Sequence, residues 1–250
     1  LPVMQGTSFA FVPVMIGAAK MGMGTLFGGI VIGGLFHAFM GLFIGKIRHW
    51  FPPLVSGIII LAIGIYLIPV GIQYAAGGAG DFNMSKPTWG GLGNWSLAII
   101  VILVSFGLKF WTKGIISSSS VLLGMIVAYI IAILMGDVNF SGVSKAAWFA
   151  LPEPFKYGFD INLTVIIAMC LMSIVSAIET VGDISGIAKG GANREATDKE
   201  LQGGTYADGI GTAVAGIFGG LPNTSFSQNV GLISMTGVMS RSVVTIAAIF

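Results

Sequence analysis

The sequence predicts an all-α, polytopic membrane protein whose two halves repeat each other, and three observations carry that prediction. First, 55% of the 250 residues are hydrophobic and only 9% are charged, with a mean hydropathy of +0.93. A soluble domain carries about 25% charged residues, so the medium around this chain is mostly lipid. Second, apolar runs of membrane-crossing length recur along the chain. Third, the tripeptide Thr-Ser-Phe occurs at 7–9, in "QGTSFAFVPVM", and again at 224–226, in "LPNTSFSQNVGL". Each copy stands beside helix breakers and leads into a short apolar run.

About 20 apolar residues span the hydrocarbon core as a helix. Runs at 23–45, 54–76, 95–111, 116–136 and 160–188 meet that length. Shorter, glycine-interrupted runs at 9–19, 206–220 and 228–240 read as further spans, and another starts near 242. Glycine, at 38 residues, suits helices that pack backbone to backbone. The stretches between spans read as loops. "GGAGDFNMSKPTWGGLGN" at 77–94 has turn chemistry and is expected outside. "KGGANREATDKELQGGT" at 189–205, the most polar stretch, is expected to be a solvated cytoplasmic connection.

Charge orients the spans. One alternate set of loops holds Lys46, Arg48, Lys109, Lys113, Lys189, Arg194, Lys199 and Arg241; the opposite set holds Lys20, Lys86, Lys145 and Lys156. The richer side is expected to be cytoplasmic. Trp50, Trp89, Trp95, Trp111 and Trp148 fall near span ends as an aromatic belt. A net charge of +2 offers nothing to nucleic acid. Cys170, alone in an apolar run, excludes a disulfide framework. There is no signal peptide pattern, no phosphate-binding loop on a βαβ unit, and no metal-ligand or nucleophile–base grouping. The chain is therefore not expected to be an enzyme or to need a cofactor. Its start at Leu1 and its end within "SVVTIAAIF" predict a piece of a longer protein.

Acids within spans are the informative residues, because a carboxylate at a helix centre costs about 2.5–3.5 kcal/mol on insertion scales. Glu179 and Asp183, in "SAIETVGDISG", are four apart and share a helix face. Two carboxylates there suit a site for a proton or an N–H-rich ligand. The competing reading ends the span near 178 and leaves both wet; the continuation "ISGIA" weighs against it. Asp208, in "YADGIGTAVAG", reads equally well as an acid near a helix N-terminus, where the dipole favours it, or as a functional group. His37, in "GGLFHAFMGLF", is expected to be a hydrogen-bonded packing histidine. His49, beside Arg48 and Trp50, is expected at an interface.

Short, Gly/Pro-interrupted spans in corresponding positions of two halves point to a transporter binding site. Irregular backbone at membrane depth must be buried or line a cavity, and two extended segments can satisfy each other by pairing. Half-helices would then begin just after each. Six spans separate the spans entered by the two copies, so the repeat unit is seven. An odd unit sets the second copy upside down relative to the first.

The stretch "QNVGLISMTG", Gln228 to Gly237, resembles the signature of the nucleobase–ascorbate transporter family, also called nucleobase:cation symporter-2, with Gln228, Asn229, Gly231, Thr236 and Gly237 fitting. "ETVGDI", "YADGIGTAVAGIFGGLPNTSFSQN" and "GTSFAFVPV" extend the resemblance over most of the chain. It implies part of a 14-span fold in two inverted seven-span repeats, with short β-strands at the broken third and tenth segments. It implies core-domain segments at 1–45 and 160–250, and a gate domain with its connecting loop at 46–159. Carried over residue by residue, it implies substrate contacts from Glu179, Gln228, Phe9, Phe226, Ser227 and Asn229, and proton-coupling or supporting roles for Asp183, Asp208, Gly231 and Thr236. Glutamine at 228 resembles the purine branch.

The implied function is a secondary active transporter in the cell membrane that imports a purine nucleobase, xanthine or urate. The coupling ion would be a proton, with sodium as the alternative, and the full-length protein would be a homodimer in the bilayer. The residue chemistry agrees. A carboxylate accepts from ring N–H groups, a Gln amide both donates and accepts along a purine edge, and phenylalanine faces stack on a planar ring. The alternatives are a uracil or other nucleobase permease of this family, or a sulfate/bicarbonate-type anion carrier of the same fold.

Overall fold

In the computed structural model, the described residues are all but 48–52, 79, 146, 148–150 and 250; the side chains of 47, 53, 55–57, 59, 60, 63, 64, 66, 67, 81, 118, 144, 228, 235 and 236 are also outside the description. His49, Arg48, Trp50 and Trp148 thus lie outside the described residues. In chain order the elements are β1 (Gln5–Thr7), α1 (Val12–Met21), α2 (Met23–Gly41), α3 (Ile44–Ile47), α4 (Pro53–Ala75), α5 (Asp81–Met84), α6 (Leu92–Trp111), α7 (Ile115–Ser118), α8 (Ser120–Met135), α9 (Ser141–Lys145), α10 (Leu163–Ala192), α11 (Asp198–Ile217), β2 (Asn223–Ser225), α12 (Ser227–Thr236) and α13 (Arg241–Ile249). The protein is mostly helical. Helices α2, α6 and α10 are long and apolar enough to cross a membrane.

The chain divides into two compact units, Leu1–Ile63 with Leu151–Phe250, and Gly64–Ala150. In the second, α6 packs on α8, with Gly124 against Ser105 and the Val101 carbonyl. Most apolar side chains of α6 and α8 are exposed, Leu103 and Leu134 among them, as suits surfaces solvated by lipid.

In the first unit, α2 runs between α10 and α11 and packs on both. Along α10 the contacts climb in step: Val165 meets Gly29, Met169 meets Gly33, and the Ser173 hydroxyl donates to the Gly33 carbonyl at 3.0 Å. Against α11 the register runs the other way, from Ala213 at Gly34 to Tyr206 at Gly41. A Cβ on Gly209 would collide with the backbone of Ala38, so only glycine lets α2 and α11 cross this closely. An apolar cluster of Phe11, Met15, Ala18, Leu26, Phe27, Ile30, Val165 and Met169 fills one end of the unit. A second cluster of Ile44, Ala177, Val181, Ile184, Ala188, Ala196 and Leu201 fills the other.

Two boundaries differ from the sequence reading. The polar stretch 189–205 is largely helical: α10 continues to Ala192 and α11 begins at Asp198, not near 206. Local chemistry explains both ends. Asn193 closes α10 in the left-handed region, at φ 50°, which Asn tolerates. Thr197 and Glu200 form a reciprocal capping box that starts α11. Arg194 clamps Glu200 through two hydrogen bonds of 2.8 and 2.6 Å. Arg194, with the Thr197 N–H and hydroxyl, holds the Glu200 carboxyl down at about 2.

Candidate functional site

The two Thr-Ser-Phe segments meet. β1 and β2 pair antiparallel, Gln5 with Ser225, Gly6 with Thr224 and Thr7 with Asn223. The ladder is extended at both ends: the Ser8 N–H donates to the Pro222 carbonyl at 2.7 Å, and the Phe226 N–H to the Met4 carbonyl at 2.9 Å. The pairing explains why such short strands persist, since each supplies the other's backbone partners. Each strand leads into a short helix, β1 into α1 and β2 into α12, and neither helix has a side-chain cap at its N-terminus. Both sets of first-turn N–H groups, with their partial positive charge, therefore begin at the strand pair.

Side chains of α10 and α11 hold β2. The Thr212 hydroxyl accepts from the Asn223 N–H at 2.8 Å and donates to the Asn223 carbonyl at 3.2 Å. The Ser176 hydroxyl donates to Thr224 Oγ1 at 3.2 Å. Asp208 Oδ2 accepts from the Ser225 N–H at 3.2 Å, the Ser225 hydroxyl at 3.1 Å, and the Thr180 hydroxyl of α10. Asp208 is fully buried and lies in the middle of α11, which corrects its reading as an acid near a helix N-terminus. That reading failed because the capping box starts the helix ten residues earlier.

Glu179 and Asp183 lie on α10, one turn apart on one face. Asp183 is buried, and the side chain of Ser227, the first residue of α12, lies beside its carboxylate. One carboxylate oxygen on each of Glu179, Asp183 and Asp208 is buried without a partner among the described residues. The reading that leaves Glu179 and Asp183 wet is thereby overturned, since α10 runs more than two turns past Asp183. α12 packs along the same stretch of α10, with Val230 over Gly186 and Ser234 over Gly190, and this packing brings Ser227 to Asp183.

The remaining candidates are placed as follows. Asn229 is buried and its amide donates to the Pro2 carbonyl at 2.8 Å, tying α12 to the segment before β1. Phe226 is half-buried, its ring over Gly6, where any Cβ would strike it. Phe9 is 56% exposed. Gly231 is exposed, with open space where a Cβ would stand. The backbone of Gln228 and Thr236 lies in α12, and their side chains lie outside the described residues. His37 is fully buried as expected, but neither ring nitrogen has a hydrogen-bond partner among the described residues, so the expected hydrogen bond is absent there. The sequence reading missed Ser176, Thr180, Thr212 and Ser225. Hydroxyls are ordinary in sequence; the available signals were that Thr180 adjoins Glu179 and that Ser225 is the centre of the repeated phrase.

Two short segments that pair as strands, beside the buried Asp183 and Asp208 and the half-buried Glu179, mark the candidate site of a multi-pass membrane protein. The transmembrane domain of a cyanobacterium bicarbonate transporter, BicA, has the same fold, with a TM-score of 0.63 over 98% of this chain and 69% of that one; at 19% identity the likeness speaks to fold alone. The chain belongs to the Permease family, whose model matches residues 1–250. It is 36% identical to the xanthine permease of Bacillus subtilis over 251 residues, 100% of this chain and 56% of that protein. It is 36% identical to the uric acid permease PucJ of the same organism over 99% of this chain and 55% of that protein. With the uric acid transporter UacT of Escherichia coli it shares 35% identity over 96% of this chain and 50% of that protein. The chain thus spans about half the length of the curated relatives it matches.

Proposed function

We propose that this chain forms the substrate-binding part of a secondary active transporter that imports a purine nucleobase, xanthine or urate, in symport with a proton. The observation that carries the reading is the group of carboxylates beside the strand pair, in a chain whose relatives are named xanthine and uric acid permeases. Glu179 accepts from ring N–H groups, and Gln228, at the start of α12, completes the purine edge with an amide that donates and accepts. Phe9 and Phe226 flank the ring, and Ser227 and Asn229 support the grip. A site that hydrogen-bonds particular edge atoms rejects analogues lacking them, because its own polar groups are left unpaired. Glu179 carries the coupled proton, with Asp183 and Asp208 in support. Gly231 and Thr236 belong to the α12 frame.

This reading places the chain within a 14-span protein of two inverted seven-span repeats, homodimeric in the cell membrane. Its core segments are 1–45 and 160–250, and its gate is 46–159. Sulfate and bicarbonate offer no N–H donors to a carboxylate, whereas xanthine and urate carry ring N–H groups that Glu179 can accept from, which favours the nucleobase. The test is uptake of radiolabelled xanthine and urate by cells expressing a full-length protein with this sequence. Glu179→Gln and Gln228→Ala are expected to abolish uptake at unchanged membrane abundance. Wild-type uptake in both variants would overturn the site, and competition by sulfate but not by purines would favour the anion carrier.

A further inference from the structure

The three carboxylates do not stand in equal surroundings. Asp208 Oδ2 collects donors from two other elements, Thr180 on α10 and both the backbone and side chain of Ser225 on β2. The Ser225 N–H can only donate, so Oδ2 is an acceptor there. Any proton or further donor at Asp208 must use Oδ1, which no described residue reaches. Glu179, the residue before Thr180, also has an unpartnered carboxylate oxygen, and unlike Asp208 it is only half-buried. On a helix, adjacent residues point about 100° apart. The bond from Thr180 to α11 thus turns Glu179 to a fixed direction beside it. At the other end of the clasp, Ser225 precedes Phe226, Ser227 and Gln228, so fixing Ser225 sets where the polar start of α12 stands.

We propose that Thr180 and Ser225 are positioning residues which act through Asp208 to set the distance between Glu179 and the start of α12. In this division of labour, Asp208 is the fixed centre of a clasp joining α10, α11 and β2, and Glu179 is the free carboxylate. The proposal rests on the reading of Glu179 and Gln228 as the groups that hold the base. Its consequence is an affinity defect: loosening the clasp separates the two halves of the grip without removing either.

The test uses the full-length protein carrying Thr180→Val, Thr180→Ser and Ser225→Ala, with xanthine uptake resolved into KM and maximal rate per copy in the membrane. Thr180→Val keeps the shape and removes the donor; it and Ser225→Ala are expected to raise KM about 10-fold or more with a much smaller change in maximal rate. Thr180→Ser restores the hydroxyl and is expected to return KM to near wild type. Unchanged KM in Thr180→Val and Ser225→Ala, or a Thr180→Ser variant as impaired as Thr180→Val, would overturn the proposal. A second measurement separates the clasp from the transport reading. Melting of the purified protein is followed in a double-mutant cycle of Thr180→Val with Asp208→Asn. Non-additive losses support the clasp whatever the cargo, and additive losses refute it even if xanthine is transported.

Discussion

The segments Thr7-Ser8-Phe9 and Thr224-Ser225-Phe226 have one sequence and each leads from a strand towards an uncapped helix, but the strand ends at Thr7 in the first and at Ser225 in the second, and their central serines have opposite surroundings. The Ser225 hydroxyl and N–H both reach Asp208. The Ser8 hydroxyl is equally buried and has no partner among the described residues, although its N–H completes the strand ladder. The phenylalanines differ too: Phe226 lies over Gly6, and Phe9 is largely exposed. The repeated phrase therefore encodes a backbone shape, a short strand that stops and releases a helix. What is done with that shape depends on the helices beside it. α10 and α11 bring Ser176, Thr180, Asp208 and Thr212 to β2, and the polar run Ser227-Gln228-Asn229 follows only the second copy.

Removing the acceptor on the β2 side is the largest perturbation. Asp208→Leu strands the buried N–H and hydroxyl of Ser225 and leaves the Thr180 hydroxyl only the Ser176 carbonyl of its own helix; with each unmade bond costing about 1–3 kcal/mol, it is expected to destabilise the purified protein severely in a thermal melt. The corresponding probe in the first copy, Ser8→Ala just after β1, removes a hydroxyl with no described partner and is expected to shift stability by no more than about 0.5 kcal/mol. Equal losses in the two variants would erase the distinction between the strands.

The next probe concerns how closely the strands approach. Gly6→Val drives a branched side chain into the Phe226 ring and is expected to cost about 1–3 kcal/mol through overpacking. Asn223→Ala, at the paired edge, leaves both backbone bonds to Thr212 and is expected to cost less than about 1 kcal/mol. A melt that ranks Asn223→Ala as the worse of the two would show that its side chain, not the backbone, anchors β2.

The smallest effect lies at the polar start of α11, far along the helix from the clasp. The Glu200 carboxyl is held at about 2 in the folded protein, below the usual value near 4.3. Its depressed folded value means that its stabilisation is complete above about pH 4.3 and is lost as pH falls towards 2. The difference in melting temperature between wild type and Glu200→Gln is expected to be constant from pH 7 to 5 and to shrink as pH falls from about 4.3 to 2. A difference that grows on acidification would contradict the Arg194–Glu200 clamp.

Much of the fold was legible because lipid imposes strict rules on sequence. Apolar length located the runs that became α2, α4, α6, α8 and α10, and a duplicated phrase beside helix breakers pointed to two paired strands. The boundaries of α10 and α11 were misread, since a capping box and an Arg–Glu clamp turn a polar stretch into helix ends, and hydropathy is blind to that. At the site, the spacing of Glu179 and Asp183 was readable because four residues make one helical turn. The partnership of Thr180 with Asp208, 28 residues on, was not, because no local period links two helices.

By itself, then, the sequence determined the medium, the spans, the broken segments and the acids that lie within them, since each follows from transfer energy or from spacing along one helix. Only the tertiary structure decided which acid is committed and which is open. That choice depends on which hydroxyl and N–H groups α10, α11 and β2 bring within 3.2 Å of a carboxylate oxygen, and such distances exist only once the helices have packed.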